Sequence, residues 1–129
     1  MFNTDNYWIT IAEVRGFSST ADTVLTKHER EALTDYLAIH PLAGDVIEET
    51  GGVRMIRWPA QSQGRNGNVR IIYFFRDLNM PVYLLAIYEK GERMSLLKSE
   101  KREIRNLVEE LVETYGVQWA AFATSSGAA

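Results

Sequence analysis

Between Thr50 and Arg76 the charged residues are five arginines: Arg54, Arg57, Arg65, Arg70 and Arg76. The stretch 51–75, GGVRMIRWPAQSQGRNGNVRIIYFF, holds no acid; Glu48 and Glu49 precede it and Asp77 follows. Lys90 and Arg93 add positive charge further on. A guanidinium is a planar fork of donors that fits phosphate oxygens. Arginines gathered on a concave surface raise the local positive potential whatever the total charge. Trp58, Tyr73 and Tyr88 are interleaved with them and offer rings on which unpaired bases stack. Forks and rings together point to a phosphate-rich ligand, most plausibly RNA. The plainer alternative is a solvated strand surface whose arginines keep an edge from aggregating.

Other chemistries find little support. The chain has no cysteine, which removes disulfides, thiolate metal sites and cysteine nucleophiles. His28 and His40 stand apart, with no metal-ligand spacing around them. His28 falls in the first turn of a predicted helix and His40 at that helix's C-terminus, where positive charge is favoured. Gly64 and Gly67 read as hairpin glycines, not as a phosphate cradle opening a helix. Ser18 and Ser19 have no evident base, so a hydrolase triad is not supported. No metal site and no cofactor is expected.

The elements that must position the arginines follow from apolar spacing. With 129 residues, 46% of them hydrophobic, the chain suits one domain with a modest core. Its net charge is −3, so any attraction for a polyanion must come from local segregation of charge. No apolar run is long enough to span a bilayer, and the start, MFNTDNYW, lacks a secretory pattern. A cytoplasmic protein is expected.

Tyr7–Val14 reads as a strand. Arg15–Leu25 is open between a short helix and a loop. Thr26 and Glu29 have the spacing of a capping box, and the helix they start carries Ala32, Leu33, Tyr36, Leu37 and Ile39 on one stripe. His40-Pro41 ends it. Val53–Trp58, Val69–Asp77 and Pro81–Glu89 read as strands, the last two forming an antiparallel hairpin. In the first of these, Val53, Met55 and Arg57 share one side, and Arg54, Ile56 and Trp58 the other. The final helix is expected to be capped by Ser99 and to end near Tyr115, with Gly116 as its C′ residue. The fold class is α+β: an antiparallel sheet flanked by N-terminal helices and a C-terminal helix. Residues 1–123 are expected to form a single domain and 124–129 a disordered tail.

One ordered set of motifs is distinctive: Gly44-Asp45-Val46-Ile47, then Gly51-Gly52-Val53-Arg54-Met55-Ile56-Arg57, then Arg70-Ile71-Ile72-Tyr73-Phe74, then Tyr88-Glu89-Lys90-Gly91-Glu92. This order resembles the HigB-like branch of the RelE toxin superfamily of type II toxin–antitoxin systems. The likeness covers about residues 7–113 and is strongest from 44 to 93. It departs from the family at Gln61, Gln63 and Asn66, where basic residues are common, at Met55 between the two arginines, and at Ser95.

The resemblance implies a compact RelE-like fold and a ribosome-dependent mRNA endonuclease. It implies metal-free cleavage through the ribose 2′-OH and growth arrest as the outcome. Carried over by position, Arg70 is the main phosphate-binding arginine. Lys90 and Arg93 are acid–base or phosphate contacts on the other rim, and Tyr73 is a general acid provided that it points into the cleft. Arg54, Arg57, Arg65 and Trp58 would hold RNA. The implied partners are the ribosome with its mRNA and a helix-turn-helix antitoxin, through which the complex would bind operator DNA; no membrane is involved. Two other readings stay open: a module that binds RNA or the ribosome without cutting, and a topoisomerase-blocking toxin of the same superfamily.

Overall fold

Thr26 caps its helix as the spacing predicts. The Glu29 backbone N–H donates to Thr26 Oγ1 at 3.1 Å, and the Thr26 N–H donates to Glu29 Oε1 at 2.9 Å. The computed structural model describes residues 8–60, 68–89 and 96–125, with 116–125 described by backbone path alone. Its elements are β1 (Ile11–Glu13), α1 (Arg15–Val24), α2 (Lys27–Ile39), β2 (Asp45–Val46), β3 (Val53–Pro59), β4 (Asn68–Phe74), β5 (Val82–Tyr88) and α3 (Lys98–Ser125).

The strands form one sheet in the order β1-β5-β4-β3-β2. β2–β3, β3–β4 and β4–β5 pair antiparallel, and the two strand hairpins sit where the apolar runs predict them. β1 pairs parallel with β5, with Ile11 opposite Val82. The fold is therefore α+β with a mostly antiparallel sheet. Tyr7 lies outside the described residues, and of Trp8–Val14 the strand proper is Ile11–Glu13, paired with β5. The segment from Arg15 resolves in favour of a helix. Phe17, Ala21 and Val24 recur at spacings of four and three residues and are all buried.

Each face of the sheet carries its own core. Phe17, Ala21 and Val24 of α1 and Leu33 and Leu37 of α2 pack on Val69, Ile71, Tyr73, Val82, Leu84 and Ile87. On the opposite face Val108 of α3 packs with Val53, Ile72, Phe74 and Leu85, flanked by Ile104, Leu111 and Tyr115. β4 is covered on both sides, which accounts for its nearly continuous apolar run.

The final helix departs from expectation at both ends. It begins at Lys98, and the Leu97 N–H is satisfied by Glu100 Oε1 at 2.8 Å, so Ser99 lies inside the first turn and does not cap it. The helix also runs through Gly116 to Ser125. A lone glycine costs a helix only about 1 kcal/mol relative to alanine, and no proline follows to stop it. Thr124 and Ser125 thus belong to the helix and not to a tail. Among the described residues, no helix is long and apolar enough to cross a membrane.

Candidate functional site

Strand registers decide which of the candidate residues can act together. Along β3, Val53 and Met55 join the α3-side core, while Ile56 and Trp58 join the opposite one. Alternation therefore puts Arg57 on the α3 side and Arg54 on the α1–α2 side. On β4, Val69, Ile71 and Tyr73 face α1 and α2, so Arg70 faces the other way with Ile72 and Phe74. Arg57 and Arg70 are direct cross-strand partners. Like charges placed directly opposite on a sheet repel, so this pair by itself adds nothing to the sheet.

The third member of this row is Tyr88, the β5 partner of Arg70. It gets there through a β-bulge. The register slips between Ile72 and Tyr73, so that Ile72 pairs with Ala86 but Tyr73 with Leu84, leaving Leu85 as the extra residue. Val82 and Leu84 point toward α1, whereas Leu85, Ala86 and Tyr88 all pack on the α3 side. Strict alternation from Leu84 would have sent Tyr88 to the wrong face. Arg57–Arg70–Tyr88 thus form a continuous row across β3, β4 and β5, with Met55, Ile72 and Ala86 as the adjoining apolar row. Arg57 is exposed, and Arg70 and Tyr88 are partly so. Arg70 and Tyr88 each take part in interactions within the fold.

Three sequence candidates lie on the other face and have different work. Tyr73 is 0% exposed. Its hydroxyl donates to the Pro41 carbonyl at 2.8 Å and accepts the Gly44 N–H at 2.8 Å. Burial pushes the phenol's pKa above its ordinary value, with the Gly44 contact a smaller opposing influence. Tyr73 therefore does not point into a cleft with Arg70, and the general-acid role is corrected to a structural one. Gly44 must be glycine here: a Cβ would stand 2.8 Å from Tyr73 Cε1 and 2.9 Å from the Met55 carbonyl oxygen.

Arg54 donates through Nη1 to the Gly44 carbonyl at 2.7 Å and the Leu42 carbonyl at 3.3 Å, pinning the same connector. Trp58 Nε1 donates to the Glu29 carbonyl at 3.1 Å, and its ring lies 5.4 Å from that of Tyr36. Trp58 thus ties β3 to α2. Neither Arg54 nor Trp58 shares a face with the Arg57–Arg70 pair, so their placement with it in one RNA-holding set is corrected. Arg65, Lys90 and Arg93 lie outside the described residues. Tyr88 was legible only as one of three interleaved aromatics, and the bulge is what singles it out.

A groove of about 550 Å³ lies away from this row, between α3 and the end of β4. Phe74, Val108 and Val112 line it, with Arg76 and Arg105 alongside Glu109 and Glu113. Among the described residues, no three His, Cys, Asp or Glu side chains come together as a metal-holding group. No family model matches the chain.

Proposed function

We propose that the protein is a RelE-like toxin of a type II toxin–antitoxin system that cleaves translated mRNA in the cytoplasm. The observation that carries this reading is the row Arg57–Arg70–Tyr88, two arginines set directly opposite one another beside an aromatic ring. Such a row fits a nucleotide step. The two forks hold a phosphate between them, and the ring takes a splayed base.

In the proposed reaction a base removes the 2′-OH proton and the 2′-oxygen attacks the adjacent phosphorus. The P–O5′ bond breaks, and an acid protonates the leaving oxygen. Arg57 and Arg70 stabilise the charge that gathers on the phosphorane. With Tyr73 committed to Pro41 and Gly44, the acid–base work falls to Lys90 and Arg93, or to Tyr88. A ribosome-held mRNA arrives oriented, which makes a sparse catalytic set sufficient. In this reading a helix-turn-helix antitoxin neutralises the protein by covering or distorting the cationic face.

Induced expression tests the reading. Wild type should arrest growth and generate new mRNA 5′ ends during translation only. Arg70→Ala should lose both, with an unchanged circular dichroism spectrum. A folded Arg70→Ala that remains fully toxic places the chemistry elsewhere. One observation favours a second reading: the described part of this face presents no histidine or carboxylate in the row. A module that binds RNA without cutting needs only the cations and the ring. It would give arrest or ribosome association with no new 5′ ends.

A further inference from the structure

Charge is segregated along α3 as well as along the sheet. Lys98, Lys101, Arg102 and Arg105 stand at i, i+3, i+4 and i+7, the spacing of a single helix face. With Glu49 they line a concavity of about 120 Å³, room for roughly four waters at ~30 Å³ each, or for one oxyanion. Glu49 is the lone acid of this lining; its carboxylate is 3.8 Å from Lys101 Nζ, leaving Lys98, Arg102 and Arg105 in excess. Glu49 itself sits in left-handed backbone, at φ 65°, in the turn before β3. Two acids fall within the stretch: Glu100 accepts from the Leu97 N–H, and Glu103 follows Arg102 but lies outside the i, i+3, i+4, i+7 set. Glu109, the next residue on this face, marks where the positive stretch ends.

Helix stability does not explain this placement: Lys98 and Lys101 stand in the first turn of α3, where bases oppose the macrodipole, with Glu100 the acid of that turn. The basic face covers eight residues, Lys98 to Arg105, about 10 Å of helix, a length that spans several backbone phosphates.

We propose that the Lys98–Arg105 face of α3 is a second contact for an RNA phosphate backbone, separate from the Arg57–Arg70 row. It would hold a helical RNA segment while the sheet engages a single strand. The inference extends the RNA reading above, but it stands on different residues and on a different element.

Full-length protein and a labelled RNA hairpin of about 12 base pairs test it by anisotropy at a series of KCl concentrations. Each phosphate contact contributes about 0.9 to the slope of log K against log salt in a duplex. Lys98→Gln with Arg102→Gln should lower that slope by about 2, and Lys98→Arg with Arg102→Lys should restore it. Lys101 is left intact because it pairs with Glu49. Should the double variant misfold, Arg102→Gln alone, at an exposed position, should lower the slope by about 1. A folded variant with the wild-type slope overturns the proposal, and so does a wild type that binds no hairpin. Arg70→Ala measured in parallel separates the two readings. If only Arg70→Ala loses affinity, the sheet site stands and the α3 contact falls; the converse result retains the α3 contact and removes the sheet site.

Discussion

Tyr73 shows how a residue's parity along a strand decides its work. Arg70 and Tyr73 are three apart on β4, so a period of two puts them on opposite faces. The motif they share could suggest a joint site, but pleat geometry forbids it, and the parity is readable without coordinates. What could not be read was the destination of the hydroxyl, because Pro41 and Gly44 approach from a connector some thirty residues away. Tyr73→Phe removes that hydroxyl and leaves the buried Gly44 N–H unpaired, which should cost about 1–3 kcal/mol of stability. Thermal melts should show the loss, while under the proposed function folded Tyr73→Phe should keep the wild-type level of mRNA cleavage. A stable but inactive Tyr73→Phe would return the residue to the chemistry. Because burial raises the folded phenol's pKa, its contribution to stability is intact below pH 10, its ordinary value, and is lost as pH rises through the folded pKa.

Among elements, a heavily tied junction joins β1, α1 and α2 and lies away from the arginine row. Arg30 of α2 donates through Nε to Glu13 Oε2 at 2.9 Å and through Nη2 to Oε1, and its Nη1 reaches Asp22 of α1 at 2.7 Å. Ser18 donates to the same Glu13 carboxylate at 2.7 Å. The Arg30 hydrogen bonds hold the Glu13 pKa below its ordinary 4.5, outweighing the opposing effect of burial, and Ser18 helps. The sign follows from linkage. A carboxylate depressed on folding adds stability that is complete above about pH 4.5 and fades as pH falls through its folded value. Glu13→Gln should destabilise the fold near pH 7 by about 1.5–3 kcal/mol, the scale of hydrogen bonds to a charged group, and so lower the melting temperature; the difference from wild type should shrink toward pH 3. A constant difference across that range would count against the assignment.

At this scale much of what the sequence announced was local, although two local signals, Ser99 as a cap and Gly116 as a stop, did not hold. The Thr26 capping box, the His40-Pro41 stop and the two hairpins are short-range chemistry and appear as expected. The parallel β1–β5 pair and the Leu85 bulge depend on partners distant in the chain, so no local pattern announced them. The bulge is also why Tyr88 could not be assigned to the Arg70 face beforehand.

For the whole molecule, the two faces of the sheet are not equally secured. α1 and α2 close one side with residues that are 0% exposed, among them Phe17, Ala21, Leu33 and Leu37. α3 contributes Val108 as its one buried residue among those described, and its other apolar contacts, Ile104, Leu107, Leu111, Val112 and Tyr115, are only partly buried. Burial of apolar area is the main favourable term in folding, so the α3 side should open at lower free energy than the rest. Native-state hydrogen exchange should therefore find the slowest amides in β4, which is covered on both sides. The amides of α3 should exchange roughly tenfold faster or more, the equivalent of about 1.4 kcal/mol. Adding the RNA hairpin should slow exchange in the first turns of α3 if the Lys98–Arg105 face holds phosphate, and leave β1, α1 and α2 unchanged. Uniform protection across α3 and β4 without RNA would instead mean that both cores melt as one unit, and that α3 is an integral wall of the fold.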